Sequence, residues 1–235
     1  MSCIYRTLKE SFIRILFGGV LLAMFFPASG QIYKVNTLSG PNQSPSNTSP
    51  GTGSAKVTIT NNLMRVETSF NDLEGTTTVA HIHAATAMAG TGTAGVATPT
   101  PSFPGFPQGV SSGSYDMTFD MDLASSFSSA YLTANGGTAA GAFSALKNAF
   151  NEGKAYFNIH TTTYPGGEIR GFFTQPYQNL SSMQTFGSIS EAISNSMLGD
   201  TIQQIGDAVE NAPVELPQGY IFNFVPPFIF SVLIP

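Results

Sequence analysis

The chain has 235 residues, of which 42% are apolar and only 10% charged, with 24 glycines, one cysteine and a formal charge of −5. That length can bury one core with extensions, and the charge deficit, filled by Gly, Ser, Thr and Ala, favours turns and pleated strands over long helices. An acidic balance without a basic patch argues against nucleic acid or an anionic membrane surface as partner.

Residues 1–30 read as a signal peptide. Arg6, Lys9 and Arg14 give a cationic start, residues 15–26 an apolar run, and Ala28-Ser29-Gly30 the small residues a signal peptidase selects. The run falls short of the ~20 residues a transmembrane helix needs, and Pro27 and Gly30 follow it at once. The expected product begins near Gln31 and is secreted or extracellular, or periplasmic or cell-surface in a bacterium. Cys3 leaves with the signal, so packing alone must hold the fold, and no cysteine remains for a lipid anchor. Loss of Arg6, Lys9, Glu10 and Arg14 takes the formal charge to −7.

The mature chain alternates in short apolar bursts between turn residues. Residues 32–38 form a first strand candidate, and 40–53, rich in Ser, Pro and Asn, a loop. Residues 55–60, 63–70 and 76–83 follow as strands of an antiparallel meander. A Gly/Thr/Pro stretch over 88–109 interrupts the sheet before 114–120 resumes it. Residues 139–151 switch to helical spacing, with Phe143, Leu146 and Phe150 on one face and Gly153 placed to end the helix.

A hairpin closes this region. A three-residue loop, Pro165-Gly166-Gly167, groups Phe157, Ile159, Ile169 and Phe173 on one face; a two-residue turn would split them. The three-residue choice puts His160, Glu168 and Arg170 together on the opposite face. In Ala80-His81-Ile82-His83 the same period of two turns both imidazoles away from a core that takes Ile82. Whether the two strands are neighbours is not readable from the sequence.

Residues 177–235 form a C-terminal extension. An amphipathic helix is expected over about 187–210, breakable at Gly199, and an apolar tail over 213–235 is interrupted by Pro226 and Pro227. The tail is either a sorting or docking segment that contacts a membrane or protein, or a strand or plug packed on the main domain.

Several motifs occur in a telling order: Leu38-Ser39-Gly40, Gly51-Thr52-Gly53-Ser54-Ala55-Lys56-Val57, the His81/His83 segment, then Gly153 to Thr161 with Asn158 and His160, and Tyr164-Pro165-Gly166-Gly167-Glu168-Ile169-Arg170-Gly171. In this the chain resembles the chordin-type (CHRD) domain family over about residues 31–176, the closing segment being the most specific. The resemblance implies a β-sandwich or barrel; with the strand and helix pattern above, the expected fold is all-β, an antiparallel Greek-key-like β-sandwich or barrel with a short inserted helix, followed by a C-terminal helical and apolar extension outside the resemblance. It also implies an exported binding or structural module for an extracellular protein or surface ligand, with no established catalytic activity. Ala84-Ala85-Thr86 after His83 and Asn42-Gln43-Ser44-Pro45 in the first loop depart from the common pattern. A lone domain without cysteine-rich modules suits growth-factor binding poorly.

The chain has three histidines, His81, His83 and His160. Two imidazoles at i and i+2 with a third from a distant segment suit one zinc or copper(II) ion, with Glu168, Asp116 or water in the fourth position. The pattern is similar to copper-zinc superoxide dismutase, but three histidines exclude its binuclear site. The competing expectation is a face that binds nothing, each imidazole hydrogen-bonded to Asn158, Thr161 or the backbone. Glu168 and Arg170 read as a pair bracing the hairpin, and Pro165-Gly166-Gly167 as turn geometry. With neither a Walker loop nor a cysteine nucleophile, an enzyme is not the favoured reading. Asn42, Asn47 and Asn179 head glycosylation sequons of a kind that arises by chance in so Ser/Thr-rich a chain.

Overall fold

The computed structural model describes residues 30–175, 177–182, 185–187, 189–204, 214–223 and 232–233. The expected signal segment, Gly30 aside, and much of the apolar tail lie outside the described residues.

Three strands open the domain as a true meander: β1 (Gln31–Ser39), β2 (Thr52–Thr60) and β3 (Leu63–Asn71). Their period-two pattern explains why. Ala55, Val57 and Ile59 on β2 and Met64, Val66 and Phe70 on β3 are buried, and residues between them carry Lys56, Arg65 and Glu67 to the other side. Asn61, with φ of 54°, turns the tight β2–β3 connection.

The meander does not continue into β4 (Thr77–His83), contrary to the sequence expectation. Next to β3 lies β5 (Gly113–Asp120), and β4 occupies the opposite end of a seven-stranded antiparallel sheet, in the order β4, β6 (Tyr156–Thr161), β7 (Ile169–Phe172), β1, β2, β3, β5. Only residues 72–76 link β3 to β4. Six extended steps reach roughly 20 Å, whereas five strand spacings in a flat sheet need about 24 Å. The sheet therefore curls into a half-barrel that brings its ends together, as expected of an all-β sandwich or barrel.

Inside the curl lies one core. Tyr33, Leu38, Val57, Met64, Phe70, Ile82, Phe157, Ile159, Ile169 and Phe173 meet there with almost no exposure. Two helices cover it: α1 (Ser129–Ala134), which the sequence pattern gave no sign of, and α2 (Ala139–Asn151), at the expected bounds. Ser128 and Thr138 cap them with their side chains, and Gly153, at φ 64°, follows the end of α2. Phe150 stacks on Tyr33 with centroids 4.8 Å apart and meets Phe173 edge-on at 5.0 Å.

Strands β4, β6 and β7 depart from simple alternation, because nearly every residue on them is buried. Loops cover their second face. Residues 84–111 also run beside the outer edge of β4, where Ala97, Phe103 and Gly109 donate N–H bonds to the carbonyls of Ile82, Ala80 and Thr77. This shields an edge that would otherwise offer a row of unpaired backbone groups.

Beyond the main sheet, the described part of the extension differs from the long helix expected over about 187–210, of which 188 and 205–210 lie outside the described residues. A single short helix, α3 (Ile189–Ser194), lies between β9 (Thr185–Phe186) and β10 (Thr201–Gln204), with Gly199 at φ 93° between the last two. Strand β10 pairs with β8 (Tyr177–Asn179) and with β12 (Ile221–Asn223) over a small core of Tyr177, Phe186, Ile189, Ala192 and Ile202. Ile189, Ala192 and Ile193 keep their helical spacing within α3, whereas Ile202 belongs to β10. In the tail, β11 (Val214–Glu215) pairs with β13 (Val232–Leu233). Among the described residues no helix is long and apolar enough to cross a membrane.

Candidate metal centre

The register across β4, β6 and β7 assembles the site. His83 lies opposite Tyr156, which lies opposite Phe172; His81 lies opposite Asn158, which lies opposite Arg170; and His160 faces Val79. Because Ala80, Ile82, Phe157, Ile159 and Ile169 take the core face, these polar and aromatic residues share the other. The two strands that carry the histidines are therefore direct neighbours. The grouping of Phe157 with Ile169, and of His160 with Arg170, is the one the even register requires.

The connection that sets this register is longer than Pro165-Gly166-Gly167. Residues 162–168 link the strands through two successive turns, closed by the N–H groups of Thr161 and Gly167 on the carbonyl of Tyr164. Gly167, at φ 123°, redirects the chain. Glu168 is turned away from His160 and Arg170 as a result. Its carboxylate accepts from the Ser49 hydroxyl at 2.6 Å, the Thr161 hydroxyl at 2.6 Å, the Gly75 N–H at 3.1 Å and the Glu74 N–H. Burial pushes this carboxyl up, but the four donors outweigh it and hold it below the ordinary glutamate value. Tyr164 donates to Glu74 at 2.7 Å, and Gly171 sits where a Cβ would strike Val35 and the Thr37 carbonyl. These motif residues build the connection itself.

Asp116 also stands apart. It is on β5, at the other end of the strand order, held by two bonds from Arg65 at 2.8 and 2.6 Å. Neither carboxylate considered as a fourth ligand faces the histidines.

The three imidazoles converge. One ring nitrogen from each lies within 4.8 Å of the other two, and the ring centroids are 5.5 to 6.0 Å apart. A backbone carbonyl fixes each tautomer. His81 Nε2 contacts the Pro101 carbonyl at 2.7 Å, His83 Nδ1 that of Ala94 at 2.9 Å and His160 Nδ1 that of Pro165 at 2.8 Å. A carbonyl can only accept, so the contacting nitrogen carries the proton and the other keeps its lone pair. Two of those lone pairs, on His81 Nδ1 and His83 Nε2, are buried without a partner, and the third, on His160 Nε2, meets only Asn158 Nδ2, at 3.2 Å.

Burial holds all three histidines below their usual range, His83 down to about 4. Near neutral pH the rings are uncharged, the form that ligates a metal. An ion at 2.0–2.1 Å from each nitrogen needs nitrogens about 3.5 Å apart, so the widest separation must close by roughly 1 Å. His81 and His83 are buried and His160 is half-buried, so His160 lies on the open side.

Two loops roof the face with groups that are quiet in the sequence. Gln43 donates from Nε2 to Asn158 Oδ1 at 2.7 Å, and Arg170 donates to the carbonyls of Asn42 and Gly92. The Arg170 guanidinium lies 4.9 Å over the ring of Tyr156. Gln43 follows no motif spacing, and only its burial in the folded loop reveals it. One serine motif also goes unannounced: Gly109-Val110-Ser111-Ser112-Gly113 has the Gly-x-Ser-x-Gly spacing, but it enters β5 and lacks the strand-to-helix turn of a nucleophile elbow.

A family model described as CHRD domain matches residues 35–173, more than half of the chain and all of the strands that build the site. No curated protein and no solved structure matches the chain.

Proposed function

The chain belongs to the CHRD-domain family, and from this we propose that it acts as an exported, non-enzymatic binding module whose three-histidine face holds one zinc or copper(II) ion. One observation carries the metal reading: three neutral imidazoles bring one ring nitrogen each within 4.8 Å of the other two, and each keeps an unprotonated nitrogen while its other nitrogen is tied to a carbonyl. Metal-ligating histidines characteristically donate their second N–H in this way, because that bond fixes the tautomer and orients the ring. A face serving hydrogen bonding alone would leave no reason for the two unpartnered buried nitrogens on His81 and His83.

The chemistry of such a site is binding. The roofing loops and the partly open His160 side leave one direction from which an extracellular partner could reach the ion, and a bound ion would stiffen a cluster built from β4, β6 and two loops. Export rests on the amino-terminal signal pattern together with the family.

Metal analysis of protein purified without a histidine tag tests this. The expected result is one zinc or copper per chain after loading, with a raised melting temperature, and loss of both in His160→Ala while the fold is retained. Absence of stoichiometric metal and of any thermal shift contradicts the reading.

A further inference from the structure

A three-histidine site needs a fourth ligand or a water, and the fold removes both acidic candidates from it. Asn158 stands in their place. It lies directly opposite His81 across the β4–β6 ladder and two residues from His160 on the same strand face, and it is only 3% exposed. Its Nδ2 is 3.2 Å from His160 Nε2. That is the separation of two neighbouring ligand atoms on one ion, each about 2.0–2.2 Å from the metal.

Resting on the metal reading above, we propose that Asn158 supplies the fourth ligand through its side-chain oxygen, and that Gln43 turns with it. Without an ion, the amide points Nδ2 at the lone pair of His160, since an oxygen there would set two lone pairs against each other. The Oδ1 atom then accepts from Gln43 Nε2 at 2.7 Å. A bound cation reverses the preference: it attracts both lone pairs, so the amide rotates half a turn and its oxygen meets the metal. The Asn158 NH2 group then faces Gln43, whose own amide flips to present its oxygen. No backbone movement is needed, because a terminal amide keeps its shape on flipping.

The surroundings fit such a pair. At Gly167 a Cβ would stand 2.5 and 2.7 Å from the two terminal atoms of Asn158 and 2.7 Å from Gln43 Nε2, so glycine leaves the space in which both amides lie. The resulting donor set is three nitrogens and one neutral oxygen. Arg170, opposite Asn158 on β7, keeps its Nε and Nη1 on loop carbonyls and contributes no acceptor.

Zinc titration of the full mature chain and of Asn158→Leu, by calorimetry and by NMR of isotope-labelled protein, decides the matter. If Asn158 is a ligand, the leucine variant binds zinc roughly tenfold or more weakly. In the wild type, the Asn158 side-chain carbonyl and NH2 resonances then move on saturation together with the NH2 of Gln43. If Asn158 merely occupies the lone pair of His160, removing it frees a ligand, and the variant binds zinc as tightly as the wild type or tighter; that overturns the proposal while leaving a three-histidine site. Should Asn158→Leu not fold, the wild-type resonances decide alone, and unmoved Asn158 signals at zinc saturation overturn it. Failure of the wild type to take up zinc or copper at all defeats the metal reading itself.

Discussion

The imidazole of His83 lies flat against the ring of Tyr156, with centroids 4.8 Å apart and planes within 5°. The stack and the Ala94 carbonyl fix the ring from two directions and keep water away, so protonation at His83 is resisted chiefly by burial, helped by the neighbouring His81, His160 and Arg170.

This makes the metal-free protein acid-sensitive. Below the ordinary histidine value of 6.5 the unfolded chain takes up protons that the folded chain refuses until about pH 4. Stability is therefore full above 6.5 and falls as the pH drops through that window, by on the order of 3 kcal/mol from His83 alone. Urea unfolding from pH 7.5 to 4 checks this: His83→Gln should show a shallower decline than the wild type.

Glu168 ties three connections together through four donors, so its removal strands buried hydroxyl and N–H groups. Glu168→Ala should cost roughly 3–5 kcal/mol, and Glu168→Gln somewhat less, since an amide keeps one acceptor and sets its NH2 against donors. Because the folded carboxyl titrates below its unfolded value, the wild type loses this contribution as the pH falls below the ordinary glutamate range. Denaturant melts of the three proteins at neutral pH give the order.

Gly167 combines a positive φ with close approach to the Asn158–Gln43 pair. Gly167→Ala should destabilise the fold by about 1–3 kcal/mol from backbone strain and displacement of the amides. It should also weaken zinc binding, whereas Gly166→Ala, where a Cβ meets nothing within 4 Å, should leave both nearly unchanged. Parallel thermal melts and zinc titrations compare the two.

What the sequence made legible followed from strict periods. Alternation placed Ile82 and Ile159 in the core and their histidine neighbours on the other face, and helical spacing located α2, because both patterns record which side of an element is buried. Non-local facts escaped it. That β4 leaves the meander depends on the curl of the whole sheet, and the hairpin could gain a longer connection without changing its faces, since a shift by an even number of residues preserves them. Glu168 belonged by parity with His160, yet the chain direction set at Gly167 turned it to Ser49 and Thr161. Gln43 became visible only when a distant loop folded over the site.

X-ray absorption at the metal edge of the zinc- or copper-loaded chain bears most directly on the three-histidine centre. The account predicts one ion per chain with three imidazole nitrogens and one oxygen at about 2.0–2.1 Å, and the imidazole signal should collapse in His81→Ala. A loaded ion surrounded mainly by oxygen, or an imidazole count unchanged by that substitution, would contradict it.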